Sequence, residues 1–353
     1  MLIFEPHIHM YSRITDDYER MSLAGVRAVL EPAFWLGQPR TNVGSFVDYY
    51  ECLIGWERHR AQQFGIHHFC TMALNPREAN DDRVNDAVME VLPRYLEKDS
   101  VLGVGEIGLD DQTKKEEKYL IAQLELARRL ALPALIHTPH RDKKKGFERC
   151  IAIIRETKFP MERILLDHGN EETIKITRDL GCWSGFSIYP HTKMDPARMV
   201  QIVLEYGIER MVVNSAADWG VSDPLAVPKT MQEMRKRGWS QEMIQRVAFG
   251  PLSRRKPNKR RMRRGGIMPR LYRISAVFWR TRALPSSAIC RLSLIVWISL
   301  ALAVLTVSMS NTPRSTWRRT SALARCRFSA LFFSRSLVKS EAAFTESAAS
   351  PMR

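Results

Sequence analysis

Eight short apolar runs, rich in β-branched residues, recur through the first two thirds of this 353-residue chain. Most of these runs are nearly continuous rather than alternating, which is typical of strands that are buried on both faces, as in a parallel sheet or a barrel. We therefore predict strands at residues 2–9, 26–31, 67–74, 101–107, 134–137, 164–168, 182–189 and 211–216.

Segments with helical periodicity separate these runs. The clearest is residues 116–130, whose leucines fall near helical spacing. Residues 84–96 and 197–206 also fit a helix, and Asp195 and Pro196 provide a plausible cap and first turn for the second of these.

The repeated alternation of strands and helices predicts an α/β protein, a (β/α)8 TIM barrel that occupies residues 1–250. Such a barrel usually takes about 250 residues. An open doubly wound sheet would instead carry a glycine-rich phosphate turn after the first strand, where this chain has His7, Ile8 and His9.

The composition changes abruptly after Gly250. Residues 1–250 hold 33 Lys and Arg against 36 Asp and Glu, a net charge of −3, whereas residues 251–353 hold 21 against 2, a net of +19. The overall charge of +16 therefore belongs to this Arg/Ser-rich tail and not to the barrel. The tail also contains an uncharged, mostly apolar stretch at residues 292–309.

Three interpretations of the tail stay open. Its basic run could bind nucleic acid through phosphate contacts, residues 292–309 could cross a membrane, or the tail could be non-native sequence translated out of frame. We favour the third, because the tail has 18 Arg against 3 Lys and no Asp, His or Gln. A membrane partner is expected only if the tail is native.

Cysteine usage indicates a reducing compartment. The six cysteines form no C-x-x-C pair and have no regular spacing, so neither a disulfide framework nor a structural zinc is expected. Glu5 and His7 interrupt the first apolar run, which argues against a signal peptide. We expect a cytoplasmic protein, and no motif indicates a protein partner.

His7 and His9 are the first candidate metal ligands. They stand two residues apart at the end of the first predicted strand, where alternate side chains point to the same side. Both imidazoles can therefore face the mouth of the barrel and hold one metal ion.

Four further metal-competent residues, Glu106, His137, His168 and Asp218, stand at or just past the ends of other predicted strands. The carboxyl ends of the strands form the active-site face of (β/α)8 enzymes, so side chains from strands one, four, five, six and eight should converge there. Because a buried Glu or His is costly unless it is paired or coordinated, we predict that all six hold metal.

Together these motifs resemble the TatD-like branch of the amidohydrolase superfamily over about residues 1–250. The resemblance implies a TIM barrel, two divalent metal ions (zinc, magnesium or manganese) and hydrolysis, often of phosphodiesters in DNA. It rests on His7-Ile8-His9, Gly105-Glu106-Ile107-Gly108-Leu109-Asp110, Leu135-Ile136-His137-Thr138, Asp167-His168 and the late Asp218.

By this resemblance, His7, His9 and Asp218 would hold one ion, His137 and His168 would hold the second, and Glu106 would bridge both. Two cations about 3.5–4 Å apart can polarise a scissile ester and lower the pKa of a water between them. Asp218 would accept the proton of that water as general base, so Asp218 and Glu106 are the predicted catalytic residues.

Two departures from the family pattern weaken the transfer of a DNA substrate more than the transfer of metal binding. The family often has an Asp shortly after H-x-H, whereas Met10 and Tyr11 follow here. The late Asp often has Thr before it and Pro after it, whereas Asp218 stands between Ala217 and Trp219.

A basic loop at residues 140–145 follows the fifth predicted strand on the active-site side. His140, Arg141 or Lys143 could capture a substrate phosphate, and we take His140 and Arg141 as the substrate-binding candidates. Lys144 and Lys145 are more typical of a solvated loop.

The main hypothesis is a metal-dependent hydrolase of a small-molecule or nucleic-acid phosphoester. One alternative is a hydrolase of a small amide, lactone or carboxylate ester on the same scaffold. Another is a non-enzymatic protein that binds nucleic acid or is anchored to a membrane.

Overall fold

The structure, a computed structural model, describes residues 1–249. The predicted tail at residues 251–353, with its apolar stretch, lies outside the described residues. Within residues 1–249, no helix combines the length and the apolar character that a membrane crossing requires.

The described residues form a (β/α)8 barrel, as predicted. All eight strands are parallel and their order in the sheet follows the chain. Each predicted run contains one strand, although most strands end earlier than the apolar runs do. The strands are β1 (Ile3–Glu5), β2 (Val26–Pro32), β3 (His67–Met72), β4 (Val101–Gly108), β5 (Ala134–His137), β6 (Ile164–Leu166), β7 (Trp183–Ser187) and β8 (Met211–Asn214).

Helices follow the strands around the outside of the barrel. The three predicted helices are confirmed at Asp82–Leu96, Lys114–Arg129 and Pro196–Tyr206. The Asp195 side chain caps the last of them by accepting a 2.8 Å hydrogen bond from the Arg198 amide. The helices are α1 (Thr15–Leu23), α2 (Val43–Cys52), α3 (Arg58–Gln63), α4 (Asp82–Leu96), α5 (Lys114–Arg129), α6 (Lys143–Glu156), α7 (Ile174–Leu180), α8 (Pro196–Tyr206), α9 (Ala226–Lys236) and α10 (Gln241–Phe249).

Backbone hydrogen bonds just beyond β1 and β8 join the two ends of the sheet. The Ala216 amide donates to the His7 carbonyl at 2.8 Å, and the His9 amide donates to the Ala217 carbonyl at 2.9 Å. These bonds fix the segment that carries both histidines at the carboxyl end of the barrel.

The interior of the barrel is apolar at one end and polar at the other. Leu135 on β5 and Leu165 on β6 belong to an apolar cluster that is enclosed by the strands. His137 follows Leu135 by two residues, and Asp167 follows Leu165 by two, so both of these buried polar side chains point to the same side as the leucines. The polar end is therefore the carboxyl end, where barrel enzymes build their sites.

Candidate metal centre

The two histidines of the H-x-H motif converge as the sequence predicted. β1 ends at Glu5, so both histidines lie just past the strand rather than within it. Their Nε2 atoms are 2.9 Å apart, and both rings are buried. Two imidazole lone pairs therefore point at one small region of the barrel mouth.

Glu106 lies at the middle of the cluster. Its Oε1 atom is 3.1 Å from His137 Nδ1, 3.1 Å from His168 Nε2 and 3.7 Å from His7 Nε2. His137 Nδ1 and His168 Nε2 are themselves 3.2 Å apart. Side chains from the ends of β1, β4, β5 and β6 thus meet around one carboxylate.

His7, Glu106 and His168 form a group that could hold a metal ion, since their ligand atoms all lie within 4.8 Å of one another. Asp218 is outside this group. Its Oδ1 atom accepts hydrogen bonds from the Tyr189 hydroxyl and the Gly220 amide, each at 2.8 Å. The structure therefore brings five of the six predicted ligands into direct contact and leaves Asp218 half-buried beside Tyr189.

The other ring nitrogens of three histidines have their own partners, which sequence reasoning did not assign. His7 Nδ1 makes a short hydrogen bond to the buried Asp167 carboxylate. His168 Nδ1 lies 2.7 Å from Ser187 Oγ, and His137 Nε2 lies 3.3 Å from Asp110 Oδ1. Such partners fix the orientation of a metal-binding imidazole and select its tautomer. Asp167 and Asp110 stood inside the quoted motifs, so a signal for both was present.

Burial and charge set the protonation of the cluster. Burial and the charge of His7 lower the pKa of His9 well below its usual range, and burial and Lys193 do the same for His168. Burial raises the pKa of Glu106, but the charges of His137 and His7 outweigh burial and lower it well below its usual range. Burial lowers the pKa of His137, but Glu106 and Asp110 outweigh burial and raise it. A divalent ion binds neutral imidazoles and ionised carboxylates, so it would take the place of a proton on His137.

Gly108 allows β4 and β5 to approach each other at the site. Its φ is +147°, and a Cβ atom there would lie 2.1 Å from the His137 carbonyl oxygen. A side chain at this position would therefore displace the strand that carries His137, which explains the glycine that follows Glu106 and Ile107.

The two candidate residues of the basic loop, His140 and Arg141, lie at different distances from the metal centre. His140 is exposed at the mouth, but its ring lies 5.8 Å from that of His168. Desolvation and Lys193 lower its pKa to about 3, so it faces the centre as a neutral donor or acceptor. Arg141 is exposed, and its guanidinium pairs with Asp111 rather than with the histidine cluster. The structure thus brings His140, but not Arg141, to the predicted centre.

An aromatic rim borders the β1 side of the centre. The Phe34 ring stacks on His9 with the ring centroids 3.8 Å apart. Trp219, half exposed, donates from Nε1 to the Trp35 carbonyl at 3.5 Å and lies 6.4 Å from the Tyr11 ring. Phe34 thus covers one face of the buried His9 ring.

The donor set fits divalent metal ions. Imidazole nitrogens and carboxylate oxygens suit zinc and manganese, and carboxylates also suit magnesium. His7 Nε2 and His9 Nε2 face each other at 2.9 Å, so either one donates its N–H to the other or both direct their lone pairs at a shared cation.

Comparison with known proteins identifies the family. A family model described as TatD related DNase matches residues 7–247. The chain belongs to the TatD-related DNase family. An uncharacterized metal-dependent hydrolase of Methanocaldococcus jannaschii is 25% identical over 245 residues, which cover 69% of this chain and 94% of that protein.

Solved structures agree with this membership. The TatD-like protein of Archaeoglobus fulgidus is 27% identical with a TM-score of 0.59, over 69% of this chain and 95% of the other. The phosphotriesterase homology protein of Escherichia coli, complexed with phosphate in its active site, is 16% identical with a TM-score of 0.51, over 69% and 95%.

A lactonase of Listeria monocytogenes is 13% identical with a TM-score of 0.50, over 70% of this chain and 92% of the other. This likeness and that to the phosphotriesterase homology protein show the fold alone. As a member of the TatD family, the protein is a metal-dependent hydrolase.

Proposed function

We propose that this TatD-family enzyme hydrolyses phosphoesters with two divalent metal ions. The observation that carries the proposal is the contact of Glu106 with imidazoles from three other parts of the barrel, all of them buried. A carboxylate in contact with several imidazoles can be shared by two cations.

The residues divide into two sets. His7, His9 and Asp218 would hold one ion and His137 and His168 the other, with Glu106 contributing to both. The bound ions would supply Lewis acidity and a lowered pKa for water. Zinc, manganese and magnesium are all compatible with these donors.

Three carboxylates of the protein would position the ligands and accept the proton. Asp167 holds His7 Nδ1, so that Nε2 keeps its direction toward Glu106. Asp218 acts as general base, and the Tyr189 hydroxyl and the Gly220 amide orient its carboxylate through Oδ1. Glu106 stays ionised, because the surrounding histidines lower its pKa.

The phosphoester substrate, either a small molecule or DNA, is supported by the description of the matching family and by the position of His140 beside His168. His140 would donate a hydrogen bond to a phosphate oxygen. Arg141 would reach the substrate only by leaving its pair with Asp111. The same fold carries lactonases, so substrate profiling is the deciding test.

The first experiment profiles substrates. The full chain, loaded in turn with zinc, manganese and magnesium, is assayed on bis(p-nitrophenyl) phosphate, a DNA oligonucleotide, p-nitrophenyl acetate and δ-valerolactone. We expect phosphodiester hydrolysis that is lost on chelation and restored by metal. Activity confined to the carboxylic ester or the lactone would contradict the phosphoester proposal, and a protein that binds no divalent ion would favour the non-enzymatic alternative.

The second experiment separates the roles of the ligands. We expect Asp218→Asn to lower kcat by about 10²- to 10⁴-fold, the usual contribution of a general base. His7→Ala should lower the bound metal measured in the same preparation. Asp48→Asn, on the exposed face of α2, is the control. A fully active Asp218→Asn variant would rule out the general-base role.

The cytoplasmic location belongs to the same proposal. The four cysteines among the described residues are free thiols, and three of them are buried in the core. Fractionation of cells that express the full chain would test the location, and recovery of the protein in the membrane fraction would contradict it.

A further inference from the structure

Two lysines lie on either side of His168. Lys143 is the first residue of α6, after β5, and Lys193 lies in the loop between β7 and α8. β6, which leads to His168, lies between β5 and β7 in the sheet. Both side chains are half-buried, unlike those of Lys144 and Lys145 next in the chain, which are exposed.

The contacts of both ammonium groups are with neutral partners. Lys193 Nζ lies 3.3 Å from His168 Nδ1 and 5.1 Å from the centre of the Tyr189 ring. Lys143 Nζ donates to Thr138 Oγ1 at 2.6 Å and to the Thr138 carbonyl at 3.3 Å. Among the described residues neither lysine forms an ion pair with a carboxylate, although Asp167 acts on both through space.

The two charges act on the same small region. Burial, and then repulsion from Lys193, lower the pKa of Lys143 to about 7. The Lys193 charge also acts on His140 and His168. Asp167 attracts both lysines, and Glu106 and Asp218 attract Lys193, but burial outweighs this attraction and lowers the pKa of each. Two half-buried cations of like sign are costly, and an anion between them would remove much of that cost.

Metal binding would free Lys193 from its present partner. If His168 ligates through Nε2, its neutral ring carries the proton on Nδ1, and that N–H donates to Ser187 Oγ, which is 2.7 Å away. Nδ1 can then no longer accept from Lys193 Nζ. The ammonium group would need another acceptor beside the metal centre.

We propose that Lys143 and Lys193 form an anion-binding subsite that holds the non-bridging oxygens of a substrate phosphate beside His168. The inference rests on the proposed function, and it names the charge of the substrate: a phosphomonoester or phosphodiester anion rather than a neutral ester or lactone. Lys193 was not among the predicted site residues, and Lys143 was only an alternative to His140 and Arg141.

Inorganic phosphate is the probe. Its dissociation constant is measured by calorimetry on the metal-loaded full chain for the wild type, Lys143→Met and Lys193→Met, with the metal content determined on the same samples. Each substitution removes a charged hydrogen-bond donor, so the constant should rise about 10- to 100-fold. Lys193→Arg should restore part of the affinity, and Lys145→Met, an exposed neighbour on α6, should leave it unchanged.

Phosphate affinities that stay within about twofold of wild type in both Met variants, with metal retained, would overturn the subsite. Lys143 contacts Thr138 rather than a predicted metal ligand, so Lys143→Met decides the question even if Lys193→Met loses metal. The proposed function can fail separately. If the wild type cleaves only carboxylic esters, the phosphate titration still shows whether the two lysines bind an anion.

Comparing kcat/KM for an anionic and a neutral phosphate ester separates charge recognition from a purely structural role of the lysine. Bis(p-nitrophenyl) phosphate is an anion, and diethyl p-nitrophenyl phosphate is a neutral ester with the same leaving group. Lys143→Met should lower the ratio of kcat/KM for the anion to kcat/KM for the neutral ester about 10-fold or more. Equal losses on both esters would count against charge recognition.

Discussion

At the scale of single residues, the Glu31 side chain links the segment that follows His9 to β3. Its carboxyl accepts a 2.7 Å hydrogen bond from the Tyr11 amide and lies 2.7 Å from His68 Nε2. Burial raises the pKa of Glu31 to about 8 and lowers that of His68 to about 4. The pair is therefore neutral in the folded protein near pH 7. His68, at the amino end of β3, therefore pairs with Glu31 and lies away from the metal centre at the carboxyl ends of the strands.

Because Glu31 is protonated in the folded protein, the free energy of unfolding should depend on pH between about 4.5 and 8. Glu31 holds its proton up to about pH 8 when folded, but an unfolded Glu loses it near pH 4.5. The stability that Glu31 contributes is thus fully present below pH 4.5 and is lost as the pH rises through 8. Glu31→Gln cannot ionise. Between pH 6.5 and 8, the unfolding free energy of the variant should gain about 1–2 kcal/mol relative to wild type, because only the wild type loses the Glu31 contribution in this range.

Denaturant titrations at several pH values measure this difference. Glu19→Gln, exposed on α1, is the matched control and should follow the wild-type curve. Curves for Glu31→Gln and wild type that run parallel from pH 6.5 to 8 would contradict a buried, protonated Glu31.

The sequence predicted residues at the ends of strands better than residues in loops. Glu106 and His137 could be placed because the carboxyl ends of barrel strands converge whatever the loops do. Lys193 could not be placed, because it stands in a loop without a motif, and most lysines are solvated. Asp218 follows β8, but its carboxylate orientation depends on Tyr189, on another loop.

At the scale of elements, β7 leaves room for the partner of His7. Asp167, just past β6, accepts hydrogen bonds from the Asn214 side chain at 2.9 Å and from the His168 amide at 2.8 Å. A Cβ atom on Gly185 of β7 would lie 2.2 Å from Asp167 Oδ1. The close approach of the two strands therefore depends on this glycine.

We expect Gly185→Ala to displace the Asp167 carboxylate and to release His7 Nδ1. Loss of such a partner typically lowers metal affinity or activity about 10- to 100-fold. Metal titration of the variant, followed by kcat/KM at saturating metal, would measure both. In the control Gly55→Ala, the added Cβ meets no atom within 4 Å. Wild-type metal affinity in Gly185→Ala would show that Asp167 does not position His7.

The elements were predictable to different degrees. All eight strands could be located, because burial on both faces makes each a continuous apolar run. The ends were less certain: β1 stops at Glu5, although apolar and metal-competent residues continue to residue 9. α2, the π-helical turn Leu53–Glu57 and α3 were not predicted, since together they form an irregular helical segment.

At the scale of the whole molecule, metal should stabilise the barrel, because its predicted ligands come from the first strand to the last. A ligand that binds only the folded state adds about 2.7 kcal/mol at 100 times its Kd. We expect the Tm of the full chain to rise with metal and to fall on chelation, with a smaller rise in His7→Ala. Identical unfolding curves with and without metal would contradict a site shared by several strands.

The charge of the molecule gives no argument for a nucleic-acid substrate. The excess of +19 lies in residues 251–353, whereas residues 1–250 carry −3. A slightly acidic barrel has no broad positive field to attract DNA. Any preference of the barrel itself for anions must therefore come from a few local cations at the mouth, such as Lys143 and Lys193.

The bonds that close the barrel have a consequence for how the protein is made. The Ser215 amide donates to the Glu5 carboxyl across 210 residues of sequence. Contacts this distant form late, and the first strand leaves the ribosome long before the eighth has been translated. His7 and His9 are thus synthesised early but gain their backbone partners last. Metal uptake should follow the docking of the final strand, so that an ion in the centre marks a barrel that has finished folding.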